Sequence, residues 1–427
     1  MKKIHRLLSV FPALWLTACA NVPPSSPTPS PLAASAVAPL AGSPTVGEPA
    51  GPACEACRKC EDVVATIASA VQPPLQVASF ADLPGWRDDD PTLAWPAFLR
   101  SCSALKARSS WPHWQAVCEA AANVPATDAG AIRSFFESRF QPWALTQPDG
   151  AREGMITGYY EPILKGSLSR SEKARYPVLG VPDDLLTVDF GELYPELKKL
   201  RLRGRVEGNK VVPYFPRADI RKRETGALAA RTLAWVEDPV ELFFLHIQGS
   251  GRIALADGSQ LRVGFADQNG HPYQSIGRLL IERGELKLEQ ASMQGIQAWA
   301  RANPARLDEL LNANPSYVFF RELPGGNDGP PGALGVPLPS ERALAIDPRF
   351  TPLGAPVFIA TTQANSTQPL NRLMLAQDTG GAIKGPVRAD FYYGSGPDAG
   401  QKAGRMKQKG RLWTLLPLAY PVAEVGR

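Results

Sequence analysis

Beyond its first twenty positions this chain of 427 residues has no apolar run long enough to cross a bilayer, so its body holds no membrane-spanning helix. Excess charge of one sign is also missing. Its 46 basic and 41 acidic side chains leave a scattered net charge of +5. With no basic stripe or nucleic-acid motif, nucleic acid is set aside as a partner, while an anionic cell-wall polymer remains compatible. Histidine is scarce at four, and none stands near Cys54, Cys57 and Cys60 to supply a fourth zinc ligand. That Cys-x-x-Cys-x-x-Cys cluster stays open between an incomplete metal site, one disulfide with a spare thiol, and intermolecular pairing. Gly249-Ser250-Gly251 lacks the following Lys-Ser/Thr and helix of a phosphate loop. No metal, no cofactor and no internal repeat are expected.

What is present begins with an address. Lys2, Lys3 and Arg6 precede a short apolar core, Leu7 to Leu16, and Leu16-Thr17-Ala18-Cys19 has the form of a lipobox. This start resembles that of bacterial lipoproteins, which implies a signal peptide over residues 1–18 and acyl chains on Cys19. Ala20 in place of Asp implies the outer membrane, on its periplasmic face. Several acyl chains are enough for stable anchoring. Residues 21–53 contain nine prolines and a single charge, Glu48. Such a composition cannot bury a core and favours extended polyproline conformations. At about 3.1 Å per residue it reaches on the order of 100 Å. The lipidated cysteine and tether are assigned to residues 19–75.

The remainder is globular in composition, and the chain overall is 44% apolar and 20% charged. Its length favours two domains. Ala97 to Lys106, Trp114 to Ala122 and Ala129 to Phe140 carry helical periodicity. Cys102 and Cys118, on the first two, are expected to form a disulfide in an exported protein. Strands are expected at Met155–Tyr160, Val211–Phe215, Leu242–Ile247 and Arg252–Leu255. Helices follow at Ile276–Arg283, capped by Ser275, at Ser292–Asn303, and from Pro304 to Leu311. From Tyr317 onward strands return: Val318–Arg321, Ala343–Ile346, Pro356–Ala360, Arg372–Gln377, Ala389–Tyr393 and Leu412–Leu416. Many short strands between Gly/Pro turns suggest a barrel.

The segment from Asp378 to Gly396 sets two carboxylates, Asp378 and Asp390, at either side of a glycine-rich turn, each attached to a strand. Paired carboxylates are the usual equipment for breaking glycosidic bonds, and Asp beside Gly is equally a turn cap. Thr157-Gly158-Tyr159-Tyr160-Glu161-Pro162 offers two rings and an acid to the apolar face of a sugar. In Phe243 to Arg252, a strand-loop-strand exposes Gln248 and Ser250 as hydrogen-bonding groups, and His246 reads as a satisfied strand histidine. His271-Pro272-Tyr273 adds another ring.

Taken in order, these pieces resemble one family, membrane-bound lytic murein transglycosylase A. The resemblance rests on Gly158 to Pro162, His246 to Gly251, Tyr273 to Gly277, Asn314 to Phe320, Gly332 to Leu338 and Asp378 to Asp390, and spans about Phe98 to Leu416. It implies a mainly β fold, a double-psi β-barrel interrupted by a second β-rich domain, with helices flanking the N-terminal part. The barrel would take residues 76–164 plus 321–427 and the insert residues 165–320, with glycan in the groove between. It implies cleavage of the β-1,4 bond from N-acetylmuramic acid to N-acetylglucosamine in peptidoglycan, leaving a 1,6-anhydro ring. Asp390 would be the catalytic acid and Asp378 a second acid of the same site. Tyr159, Tyr160, Glu161, Gln248, Ser250, Tyr273 and Lys384 are the candidates for holding sugar. Two rival readings are a two-carboxylate muramidase and a non-catalytic glycan-binding lipoprotein. No protein partner in wall synthesis or division can be named from the sequence.

Overall fold

The computed structural model describes residues 74–422, except 198, 199, 201 and 327. The lipobox at Cys19, the tether and the Cys54, Cys57, Cys60 cluster lie outside the described residues.

The chain enters through β1 (Leu75–Val77) and three helices, α1 (Trp95–Leu105), α2 (Trp111–Ala121) and α3 (Ala129–Arg139). Pro96 and Pro112 sit in first turns, where a missing N–H costs nothing. Asp128 caps α3 by accepting from Ala131 N. One face of α1 buries Trp95, Phe98, Cys102 and Leu105, at the three- and four-residue spacing of an amphipathic helix. Trp95, Phe98, Phe135, Phe136 and Phe140 meet as a cluster of tilted and edge-to-face rings. The expected disulfide joins Cys102 of α1 to Cys118 of α2, with Cα atoms 5.4 Å apart.

The helices feed β2 (Phe140–Leu145) and β3 (Gly154–Glu161). An inserted segment follows: β4 (Ile163–Ser167), β5 (Tyr176–Leu179), β6 (Leu186–Val188), β7 (Leu202–Glu207), β8 (Lys210–Pro213), α4 (Arg217–Arg223) and β9 (Thr232–Val236). It continues through α5 (Pro239–Gln248), β10 (Ser250–Ala254), β11 (Gln260–Gln268), α6 (Ile276–Glu282), α7 (Met293–Ala302), α8 (Leu307–Asn312) and β12 (Val318–Glu322). The chain then returns with β13 (Ala343–Ile346), β14 (Pro356–Thr362), β15 (Pro369–Thr379), β16 (Arg388–Ser395), α9 (Pro397–Arg405) and β17 (Lys407–Pro417).

Six strands close on themselves in the order β17-β14-β15-β13-β16-β3, because β3 pairs back onto β17; β2 and β1 extend the wall from β17. Closure leaves those six strands no free edge. This is the mainly β, closed-barrel fold that the family resemblance implies. The insert builds a second sheet, β12-β11-β10-β4-β9-β5, and a small one, β6-β7-β8. Each part has its own apolar cluster: Ile156, Leu344, Phe358, Leu373 and Phe391 in the barrel, and Leu164, Val178, Val236, Ile253 and Phe320 under the second sheet.

One expected strand is a helix. Leu242–Ile247 belongs to α5, whose start and stop signals outweigh its continuous apolar run. Asp238 accepts from Val240 N and Glu241 N, Pro239 occupies the first turn, and Gly249 closes the C-terminus at φ +76°. The run is apolar throughout because α5 is buried on two sides, Phe243 among the helices of the insert and Leu242 and Leu245 under its sheet. His246 is therefore a buried helix residue rather than a strand residue. Its Nδ1 lies 2.9 Å from Arg217 Nη1, and burial holds its pKa well below the ordinary value.

Candidate active site

Strand register brings the two aspartates together. In the wall β15-β13-β16-β3, Ala345 is paired with Asp378 on one side and Asp390 on the other, and Asp390 is paired with Thr157. Four residues distant in sequence thus form one row across the sheet. Two strand spacings separate the aspartate Cα atoms, about 9–10 Å, and the residue between them carries only a methyl group. Neighbours of opposite pleat, Leu344, Ile346, Phe391 and Ile156, fill the barrel core. The row consequently points out of the barrel. Tyr159 and Tyr392, one pleat repeat along, pack there with Leu338 and Ala343.

The two carboxylates are treated differently. Asp378 accepts from Tyr159 Oη at 2.9 Å, and from Ala333 N and Thr379 N, each also at 2.9 Å. Burial raises its pKa and these three donors oppose the rise. Among the described residues Asp390 accepts one hydrogen bond from a protein group, from Thr157 Oγ1 at 2.6 Å. Burial dominates, pushing its pKa up to about 6; Thr157 and the charge of Arg388 pull it down, and the Asp378 charge adds to the rise. Tyr159 is held well above its ordinary pKa, by burial first and then by Asp378, so it stays a neutral donor. Burial raises both acids; Asp378 has three donors opposing the rise, and Asp390, with one, is pushed up to about 6.

The other expected sugar-binding residues are dispersed. Tyr160 points to the opposite face from Tyr159: it is 9% exposed, lies in the barrel core and donates to Met293 Sδ. Strand alternation sends adjacent residues to opposite faces, so the tyrosine pair cannot act as a double platform. Glu161 is fully buried, held by Arg252 Nε at 2.8 Å and Ser395 Oγ at 2.6 Å, and is unavailable to a sugar. Gln248 spends its Oε1 on Tyr160 N, tying the end of α5 to β3. Ser250 opens β10, partly exposed. Tyr273 is half exposed before α6, and Lys384 is exposed in the β15–β16 turn. Among the described residues neither forms a hydrogen bond or ion pair with Asp378 or Asp390. Thr157 was given no role by the sequence reading, although its spacing of two from Tyr159 puts both on one face. Ala333, which reaches Asp378 through its backbone, leaves no side-chain signal at all.

Comparison with known proteins identifies the family. The family model described as the MltA specific insert domain matches residues 155–321, and the 3D domain model matches residues 342–416. Membrane-bound lytic murein transglycosylase A of Escherichia coli K12 is 34% identical over 294 residues, 67% of this chain and 72% of that protein. A crystal structure of MltA from Neisseria gonorrhoeae is 43% identical, with a TM-score of 0.70, covering 81% of this chain and 93% of that one. E. coli MltA with bound chitohexaose is 28% identical with a TM-score of 0.60, covering 82% of this chain and 96% of that one. The barrel, the insert and the aspartate row thus sit in a chain that belongs to the membrane-bound lytic murein transglycosylase A family.

Proposed function

We propose that the chain is a peptidoglycan lytic transglycosylase in which Asp390 is the acid and then the base, and Asp378 the stabilising carboxylate. The observation that carries the role assignment is the asymmetry of the pair: one donor on Asp390 against three on Asp378. Protonated Asp390 donates to the glycosidic oxygen that leaves. Positive charge then grows at the muramyl C1 and ring oxygen, and ionised Asp378 stabilises it. Asp390, now a carboxylate, takes the proton of the sugar's own C6 hydroxyl as that oxygen bonds to C1. Bonds and protons balance without water, and the nucleophile is already attached to the substrate. Chitohexaose bound to E. coli MltA supports a chain of β-1,4-linked N-acetylated sugars as the ligand here.

Asp390→Asn can neither donate nor accept that proton, and it should lower release of anhydro-muropeptides from purified walls by about 10²–10⁴-fold or more. Mass spectrometry of the products tests the reaction class. Muropeptides lighter by one water than their reducing-end forms are expected. Free reducing ends would make the protein a hydrolase, and no release at all would make it a glycan-binding lipoprotein. Attachment to the outer membrane through Cys19 is the accompanying proposal, supported by the lipobox and the proline-rich tether. Cys19→Ala should move the protein out of the membrane fraction; unchanged fractionation removes the anchor.

A further inference from the structure

We propose that Gln377 is the positioning residue of this site: it is the extra residue of a β-bulge that turns Asp378 onto the face of Asp390, and helix α1 is the body that holds it. The proposal rests on the role given to Asp378 above.

Between β13 and β15 the pairing runs Leu344 with Ala376 and then Ala345 with Asp378, so Gln377 has no partner in the ladder. In an unbroken ladder Asp378 would fall opposite Ile346, whose side chain lies in the barrel core. The one-residue bulge reverses that face, which is the use to which bulges are commonly put beside active sites.

The Gln377 side chain is fully buried, and its Nε2 donates to Ala97 O and Ser101 Oγ of α1, both at 2.9 Å. A backbone carbonyl only accepts, so the amide's orientation is fixed. Its Oε1 has no partner among the described protein groups, a cost that an apolar residue would not carry. The backbone of the bulge is held as well. Gln377 O accepts from Leu334 N at 3.0 Å, and Gly354 N donates to Ala376 O at 2.7 Å.

A second hold on Asp378 comes from the same helical pair. Arg108, in the turn between α1 and α2, donates to Ala333 O at 3.2 Å and Leu334 O at 3.1 Å. Ala333 N is one of the donors on Asp378. The loop lies so close to the bulge that a Cβ at Gly332 would stand 2.5 Å from Gln377 O. The Cys102–Cys118 disulfide closes the turn that carries Arg108. Helix α1 therefore reaches Asp378 through the Gln377 amide on one side and through Arg108 and the 332–338 loop on the other.

The test uses purified glycan strands and two variants. Gln377→Met keeps length and removes the donor; Gln377→Glu keeps shape and donates only while protonated. A carboxylate displaced by about 1 Å costs on the order of 10²-fold in rate. We expect kcat to fall about 10–10²-fold in Gln377→Met, with KM changed less than about twofold and the pH profile displaced. Gln377→Glu should recover activity toward acid pH more steeply than wild type. Thr414→Val, which breaks the buried Thr351–Thr414 contact elsewhere in the barrel, is the control: it should lower Tm and leave the pH profile in place. If Gln377→Met does not fold, Ser101→Ala, which deletes one of the two acceptors, should give a smaller loss in the same direction. Folded variants with wild-type kcat and an unmoved pH profile would reduce Gln377 to a structural role and overturn the proposal. So would a control that shifts the profile equally. Wild type that releases no anhydro product would instead remove the underlying reading, and this proposal with it.

Discussion

The outward row of the barrel holds a partly buried carboxylate and the junction between barrel and insert a fully buried one, and the two are managed in opposite ways. Asp390 and Glu161 belong to the paired strands β16 and β3 and lie on the same side of that pair. At the junction Glu161 meets the hydroxyl of Ser395 and the Arg252 guanidinium from β10, which also donates to Asp328 O. In the row Asp390 faces one hydroxyl and no cation within ion-pair distance among the described residues; Arg388 acts on it only through its field. A buried carboxylate with its cation is a joint, and one without is a group whose proton is loosely committed near pH 6. The same residue chemistry serves assembly in one place and reaction in the other.

The largest effect should fall on catalysis in the row and on stability at the junction, and exchanging the two outcomes would break the comparison. Asp390→Asn is expected to lose at least about 10²–10⁴-fold in rate and keep its fold. Glu161→Leu strands Arg252 in a buried position and should cost about 3–5 kcal/mol of stability. Glu161→Leu with Arg252→Leu should regain much of that, because replacing a whole buried pair with apolar side chains is often neutral. Chemical denaturation with activity normalised to the folded fraction checks both. If Glu161→Leu keeps wild-type stability and loses activity, Glu161 belongs to the site after all.

Much of this contrast was legible in the sequence. The Asp378–Asp390 segment declared itself because a glycine-rich turn between two strands is a local signal. The six barrel strands and helices α1, α2, α3, α6, α7 and α8 were found for the same reason, whereas α4 and α9 were not expected. Three features were not legible. Tyr160 and Glu161 looked like site residues because a motif lists neighbours, whereas a pleat alternates them. Helix α5 read as a strand because burial on two sides erases its periodicity. The bulge at Gln377 is a property of pairing between segments about thirty residues apart, and no local pattern announces which residue of a strand lacks a partner.

Between row and junction stands the helical pair, and its disulfide offers a gentler perturbation of the row alone. Closing a loop of this size contributes up to about 3 kcal/mol in the chain-entropy model. Cys102→Ala with Cys118→Ala should lower Tm correspondingly. Activity of the folded fraction should fall severalfold at most, because Arg108 and the Gln377 amide keep their hydrogen-bond partners while the turn between α1 and α2 loosens. Non-reducing peptide mapping of the wild-type protein should recover the linked pair. Two free thiols in exported protein would remove this prediction. An unchanged Tm would show that the helices are held by their aromatic cluster without the bond.

The smallest effect is the most diagnostic, since it asks whether Asp390 is a destabilising group retained for its chemistry. Its pKa is raised from 3.8 to about 6, so the folded protein binds this proton more tightly than the unfolded chain does. Folding therefore loses stability as pH rises from about 4 through about 6, and the loss is complete and constant above that. A shift of about two units corresponds to about 3 kcal/mol at most, and partial contact with solvent reduces this to about 1–2 kcal/mol. Asp390→Asn removes the charge, and Asn Oδ1 still accepts from Thr157. The variant should be more stable than wild type by about 1–2 kcal/mol at pH 7, and within roughly a few tenths of a kcal/mol of it near pH 3.5, where the wild-type carboxyl is neutral in the folded protein and mostly neutral in the unfolded chain. At the junction the sign is reversed, because Glu161→Gln discards an ion pair and should destabilise at pH 7. Thermal unfolding of the two variants at both pH values settles the contrast: a variant lacking Asp390 that is no more stable than wild type at pH 7 would mean that its charge is well solvated and its proton ordinary.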